Sequence, residues 1–297
     1  MTDNVTSDAG SARAQPKGGR LSIVATPIGN LSDISPRAVQ TLREVELIAC
    51  EDTRHTGVLL HALDCKVARI SLHAHNEAAR LPELLTRLTN GAHIALVSDA
   101  GMPSVSDPGA RLVSAAHAQG IRVEVIPGPS AVTSAIAASG ASADGFIFVG
   151  FLPRKLGERT TLFDRLDGLT WPAVAFESPK RVAAILNEIA TRDPARQIAI
   201  CREMSKLFEH TIVGTAAELA ARATLDPFRG EITMVIWPPA TDTHKARGGA
   251  RLDEGIALLL DAGVSARQAA DIAASLGMGA RNAAYRAALA EASRRAT

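Results

Sequence analysis

The sequence predicts an α/β fold: two α/β domains followed by a small helical C-terminal domain. Three observations predict it. Short apolar runs alternate with helical patterns from Leu21 to Trp237. Nearly every apolar run gives way to a polar or glycine-rich stretch. A Pro, Thr and Gly segment then separates this body from an alanine-rich tail with helical spacing. Alternation of this kind marks a mostly parallel sheet covered by helices.

The elements follow in order. Residues 1–20 hold no apolar core segment and are expected to be a disordered tail, neither signal peptide nor anchor. Leu21–Ala25 is the first strand, stopped by TPIGN (26–30), where Pro27 cannot donate to a ladder. Ser35 reads as an N-cap with Pro36 at the first helical position. Leu47–Cys50 is the second strand, leading into EDTRHT (51–56). Val67–Leu72 is the third, ending in HAHNE (73–77), where Asn76 is placed to cap a helix closed by Asn90-Gly91. Ile94–Val97 is the fourth strand. It runs into SDAGMPSVSDPG (98–109), too rich in Gly and Pro for a core strand or a helix interior. Most such connections take about 2–6 residues, so this loop points to binding at the carboxyl end of a strand. Ile121–Ile126 is the fifth strand, and PGPS (127–130) opens a helix ending near Gly140.

Near Phe146 the pattern changes. Phe146–Leu152, Ala173–Phe176, Ile198–Cys201, Leu207–Val213 and Glu231–Trp237 read as strands of more mixed direction, with Ile198–Cys201 and Leu207–Val213 as antiparallel neighbours. Helices are expected over Glu158–Leu166 and after Ser178-Pro179. The expected divisions are a tail over 1–20, a first domain over 21–143, a second over 144–238, a linker over 239–250 and a helical domain over 251–297. In the tail, Ser265 and Gln268 form a capping box and Gly277 ends that helix. Helix, short turn, helix is shared by nucleic-acid-binding modules and by plain hairpins, and both stay open.

Composition narrows the function. A net charge of +1 gives no bulk attraction to nucleic acid or membrane. From Lys245 onward, 8 Lys and Arg face 5 Asp and Glu, so the tail is mildly basic and suited to phosphates. Three separated cysteines, Cys50, Cys65 and Cys201, fit a reducing cytoplasm and form no zinc motif. No apolar run approaches the ~18 residues of a membrane helix, so a soluble, cytoplasmic protein is expected. Walker, G-x-G-x-x-G, G-x-S-x-G and H-E-x-x-H patterns are all missing. No metal is expected.

Several segments, in order and spacing, carry a resemblance: LSIVATPIGN (21–30), ACEDTRHT (49–56), VSDAGMPSVSDPG (97–109), IPGPSA (126–131), GFLP (150–153), FESPKR (176–181) and Arg202-Glu203. Together they resemble the small-subunit ribosomal RNA methyltransferase I family, of tetrapyrrole-methylase-like fold. The resemblance implies two α/β domains with S-adenosylmethionine in the cleft between them, and a homodimer. It implies 2′-O-methylation of a cytidine in the decoding region of 16S rRNA, free or in the 30S subunit. Cofactor contacts are then expected from Pro27, Asp99, Met102, Pro103, Ser130, Ala131, Phe176, Met204 and Thr233. Candidates for the base are Glu51, Asp52, His55, His73, His75, Glu177 and Glu203, with Glu51, Asp52 and His73 favoured. Arg54, Asn76, Arg154, Lys155, Lys180 and Arg181 are expected to face RNA. A tetrapyrrole methylase of the same fold, or a non-catalytic ribosome-assembly factor, stays open as an alternative.

Overall fold

The structure, a computed structural model, describes residues 18–141, 144–240, 252–276 and 281–295. Of the tail expected over 1–20, residues 1–17 lie outside them, as do 241–250 of the linker expected over 239–250 and the helix end expected at Gly277. Arg20, expected in the tail, instead opens the first strand, and the Gly19 N–H donates to the Leu88 carbonyl at 3.0 Å. The chain forms two compact units. One runs to Ala135 and also takes in Glu203–His210; the other holds Ile136–Arg202 and the chain from Thr211 onward.

In the first unit, the elements are β1 (Arg20–Val24), α1 (Pro36–Glu44), β2 (Leu47–Cys50), α2 (Thr53–Ala62) and β3 (Ala68–Ser71). They continue with α3 (Glu77–Thr89), β4 (His93–Val97), α4 (Ala110–Ala118), β5 (Arg122–Ile126) and the start of α5 (Ala131–Ser139), within which the division between the units falls. The five strands are parallel, in the order β3-β2-β4-β1-β5. Every residue of β2 is buried, and so are four of the five in β1 and β4. That explains their unbroken apolar runs: both faces of the sheet are covered. On one face Val24, Ile48 and Ala95 pack with Leu42 and Leu60. On the other, Leu21, Ala49 and Leu96 pack with Leu84, Leu88 and Leu112.

The second sheet is mixed. Its strands are β6 (Ile147–Phe151), β7 (Ala173–Glu177), β8 (Gln197–Arg202), β9 (His210–Thr215) and β10 (Ile232–Ile236), in the order β6-β7-β10-β8-β9. β10 lies antiparallel between β7 and β8, while β6 is parallel to β7. Alternation sends Ile198, Ile200, Ile232, Met234 and Ile236 to one face. There they pack against α6 (Leu156–Leu166), α7 (Pro179–Arg192) and α8 (Ala216–Leu225). The C-terminal helices, α9 (252–261), α10 (Ala266–Ser275) and α11 (Arg281–Arg295), share a small alanine-lined core. The Ser265–Gln268 capping box forms.

Two expected caps differ. Asn76 stands before α3 but makes no capping bond. Its amide turns back instead: Oδ1 accepts from the His73 N–H at 2.8 Å and Nδ2 donates to the Ser71 carbonyl at 3.2 Å. Ser178 stands before α7 with no side-chain cap either. Its own N–H donates to Glu177 Oε1 at 2.7 Å.

Candidate active site

The strand order decides where a site can form. β2 sends its chain on to β3, whereas its neighbour β4 sends its chain the other way, past β1 to β5. Diverging connections leave a crevice outside the carboxyl ends. Here the two exits are Glu51–Asp52 and Ser98–Asp99.

The loop after β4 is fixed along its length. Thr26 and Gly101 exchange backbone hydrogen bonds of 2.9 and 3.0 Å. The buried Thr26 hydroxyl donates to the Ser98 carbonyl at 3.2 Å. Asp99 Oδ1 accepts from the Asp52 N–H at 3.2 Å, tying the β4 exit to the β2 exit. At the far end, Glu77 is only 7% exposed, and its Oε1 accepts from the N–H groups of Gly109 and Arg111, both at 3.1 Å. A carboxylate at the first turn of α4 also suits the helix dipole. Within this frame Ser104 (φ 68°) and Ser106 (φ 65°) are left-handed, a conformation costing a non-glycine residue about 1–2 kcal/mol. Gly109 sits at φ 125°, and a Cβ there would lie 2.6 Å from Leu96 Cδ2. Only glycine fits.

The rim is acidic. Burial, with Asp99 and Asp52 nearby, raises the Glu51 carboxyl above its usual range, against the opposing pull of His73. Asp107 is pushed up to about 6 by burial and then by Glu51, with Ser98 opposing and Asp99 reinforcing. Asp52 goes the other way. It caps α2, accepting from the Arg54 N–H at 2.8 Å and pairing with Nη2 at 2.9 Å, and is lowered to about 2 by that partner. Two buried polar atoms near the exits have no hydrogen-bond partner among the described residues: His73 Nδ1 and Ser104 Oγ.

The other candidates fall into place as follows. Pro27, Met102, Ser130 and Ala131 are half-buried and Pro103 is buried, all at exits of the first sheet. His55 and His75 are exposed. Met204 is buried in a segment where Glu203 (φ 52°) and Ser205 (φ 66°) are left-handed, and Glu203 pairs with Lys206 at 3.1 Å. That segment belongs to the first unit, where Lys206 packs over Gly29 and Ser205 bonds Asp33. In the second unit, Phe176, Thr233 and Cys201 form one row across β7, β10 and β8. Phe176 meets Phe148 and Phe151 edge-on at 5.0 and 5.6 Å.

Of the expected RNA contacts, Arg154, Lys155 and Lys180 are exposed. Arg54 has a side chain 90% exposed yet paired with Asp52. Arg181 is committed: it donates to the carbonyls of Leu152 and Pro153 at 3.0 and 2.8 Å and faces Glu177 at 3.3 Å. Glu177 is buried, and burial raises its carboxyl despite the Ser178 N–H and Arg181. Sequence reasoning missed Glu77 and Asp107 as parts of this site. The two aspartates spaced along the 98–109 loop were the available signal for Asp107; Glu77 left none. Among the described residues no group of His, Cys, Asp and Glu is arranged to hold a metal, and no helix is long and apolar enough to cross a membrane.

Known proteins are similar to this chain. Residues 20–220 match the family described as tetrapyrrole (corrin/porphyrin) methylases. A ribosomal RNA small subunit methyltransferase I of Mesorhizobium japonicum is 42% identical over 275 residues, 92% of each chain. One from Thermotoga maritima is 45% identical over 73% of this chain and 98% of its own. Among solved structures, a diphthine synthase (TM-score 0.56, 14% identity, 74% of this chain and 90% of that one) shares the fold. So does a cobalt precorrin-4 methyltransferase (TM-score 0.55, 16% identity, 73% and 94%).

Proposed function

The chain belongs to the tetrapyrrole methylase family, and on that premise we propose that it methylates small-subunit ribosomal RNA. The finer reading is transfer from S-adenosylmethionine to the ribose 2′-hydroxyl of a cytidine in the decoding region of 16S rRNA. The observation that carries it is the loop after β4, pinned by Thr26, Asp52 and Glu77 at the exits of an all-parallel sheet, in a chain whose relatives, one of them matched over nine-tenths of its length, are named as rRNA methyltransferases.

The residues suit such a donor. It brings a sulfonium cation, and the rim supplies Glu51, Asp99 and Asp107. Asp99 spends Oδ1 on the Asp52 N–H; among the described residues its Oδ2 has no hydrogen-bond partner, which supports a role in accepting from the donor's hydroxyl or amino groups. Ser104 Oγ is a second uncommitted group. Pro27, Met102, Pro103 and Ala131 supply apolar wall, and Ser130 a hydroxyl. Met204, Phe176 and Thr233 complete the proposed contacts. When bound, the donor supplies an electrophilic methyl group on sulfur.

The chain's own work is then alignment and proton removal. Glu51 is the proposed base for the 2′-hydroxyl proton. Its raised proton affinity makes it a better acceptor than Asp52, which Arg54 holds low. His73 stands beside it, and its positive form would steady the ionised Glu51. Asp52 acts as the cap that aims Arg54 and the start of α2. Arg54, Arg154, Lys155 and Lys180 remain proposed phosphate contacts, and the protein is proposed to work as a homodimer in the cytoplasm.

The test is transfer of a tritiated methyl group to free 16S rRNA and to 30S subunits. Label should enter one nucleotide, and the bond 3′ to it should resist alkali because its 2′-oxygen can no longer attack phosphorus. Label in a base, or donor binding without transfer to either RNA, overturns the reading.

A further inference from the structure

We propose that the second unit carries a separate anion site, built from Arg202, Arg222 and Arg229, that holds a backbone phosphate of the RNA substrate. The three side chains line a hollow of about 300 Å³, together with Ile212, Asp226 and Phe228. They come from three places: the last residue of β8, the last turn of α8 and the segment after it.

They converge on one hollow without partners among the described residues. Arg159, Arg181, Arg192 and Arg196 of the same unit each face at least one carboxylate, at Glu188, Glu177, Asp164 and Asp167, and Asp167 and Asp193 respectively. Among the described residues, none of the three pocket arginines has a side-chain hydrogen bond or an ion pair. Arg202 Nε is buried without an acceptor. A buried donor in that state costs free energy until an acceptor arrives. Converging guanidiniums are the arrangement that binds a phosphate through paired N–H groups.

Two features oppose an anion: the Asp226 carboxylate and the carboxyl end of α8, worth roughly half a negative charge. Three full positive charges outweigh them. The remaining excess is modest, which fits one diester phosphate with a single charge.

Sheet register places the hollow relative to the proposed chemistry. Arg202 pairs with Ile232 and so lies one row beyond Thr233, Phe176 and Cys201. Arg202 points to the helical face, because alternation puts it on the side of Ile198 and Ile200. Phe176 and Thr233 point to the other face. The site is thus an anchor apart from the donor contacts, and it rests on the RNA reading above.

The test compares wild type with R222A/R229A, two exposed positions, after checking that the circular dichroism and melting temperature agree. Binding of a fluorescent single-stranded RNA fragment of 16S rRNA is measured across a salt series, with donor affinity measured by calorimetry. The variant should bind RNA about tenfold more weakly, with a salt slope shallower by about 1 and donor affinity unchanged. If wild type binds RNA and the variant matches it in affinity and slope, the anion site is wrong while the methylation reading stands. If wild type binds no RNA at all, that reading falls and takes this proposal with it.

Discussion

The two sheets treat charge in opposite ways. At the exits of the first, Glu51, Asp99 and Asp107 crowd together: burial and then Asp99 raise the proton affinity of Glu51, and burial, Glu51 and Asp99 raise that of Asp107. In the second unit, Asp164, Asp167, Glu177, Glu188 and Asp193 are matched with arginines. Burial raises Asp167, but Arg196 at 2.5 Å and Arg192 at 3.1 Å outweigh it and leave its carboxyl low. Glu188 meets Arg159 at 2.6 Å. Paired charges of the second kind brace helices against a sheet. Like charges left together are destabilising, and a fold keeps them where chemistry needs them. The topology agrees: the all-parallel sheet gathers its exits at one end, while the mixed sheet divides them.

The largest break in this contrast should come from Asp99→Ala. It removes the carboxylate that ties β2 to β4 and the group proposed for the donor. A hydrogen bond to a charged group is worth about 1.5–3 kcal/mol, so donor affinity should fall at least tenfold, and by more if both oxygens are used. Calorimetry reads this directly. Unchanged affinity in a folded variant would take Asp99 out of the site.

Glu77→Gln should come next. The amide keeps one acceptor oxygen for Gly109 and Arg111 but loses the charge. A loss of about 1–2 kcal/mol is expected in urea denaturation, together with weaker donor binding through a looser loop. Stability lost without any change in donor affinity would make Glu77 a strut for α4 alone.

Asp107→Asn sharpens the contrast in pH. The folded-state value of about 6 lies above the usual 3.8. Protonation therefore favours the fold, and that contribution is complete below about pH 4 and lost as pH rises through 6. The full shift is equivalent to about 3 kcal/mol; solvent screening of this partly exposed carboxyl reduces the expected cost of the ionised group at pH 7 to about 1–2 kcal/mol. The variant should unfold at higher urea than wild type at pH 7 and at nearly the same urea at pH 4. A gap independent of pH would contradict it.

Much of this was legible from the chain, for a physical reason. Strands buried on both faces must be apolar throughout, so LSIVA, IALV and LIAC declare themselves. The caps at Ser35 and Ser265 and the Asn90-Gly91 stop are set by neighbours within a turn. What depends on distant partners was not legible. Glu77 sits 32 residues from Gly109 and reads as an ordinary first-turn acid. The arginine hollow draws on β8, α8 and a connection, and no local pattern joins them. The 203–210 segment reads as part of the second domain, yet Lys206 packs over Gly29 and places it in the first unit.

The smallest effect comes from two helix starts that look alike in sequence, Ser35-Pro36 and Ser178-Pro179. At the first, Ser35 Oγ accepts from the Ala38 N–H at 3.1 Å. At the second, no such bond forms, and the N-terminus of α7 lies beside the buried Glu177 carboxylate, which already takes the Ser178 N–H. A carboxylate there interacts with the helix dipole and makes a hydroxyl cap redundant. Ser35→Ala should therefore cost about 1 kcal/mol, and Ser178→Ala close to nothing, in parallel urea titrations. Equal losses at the two positions would mean that Glu177 does not stand in for the missing cap, and that its burial beside Arg181 has some other cause.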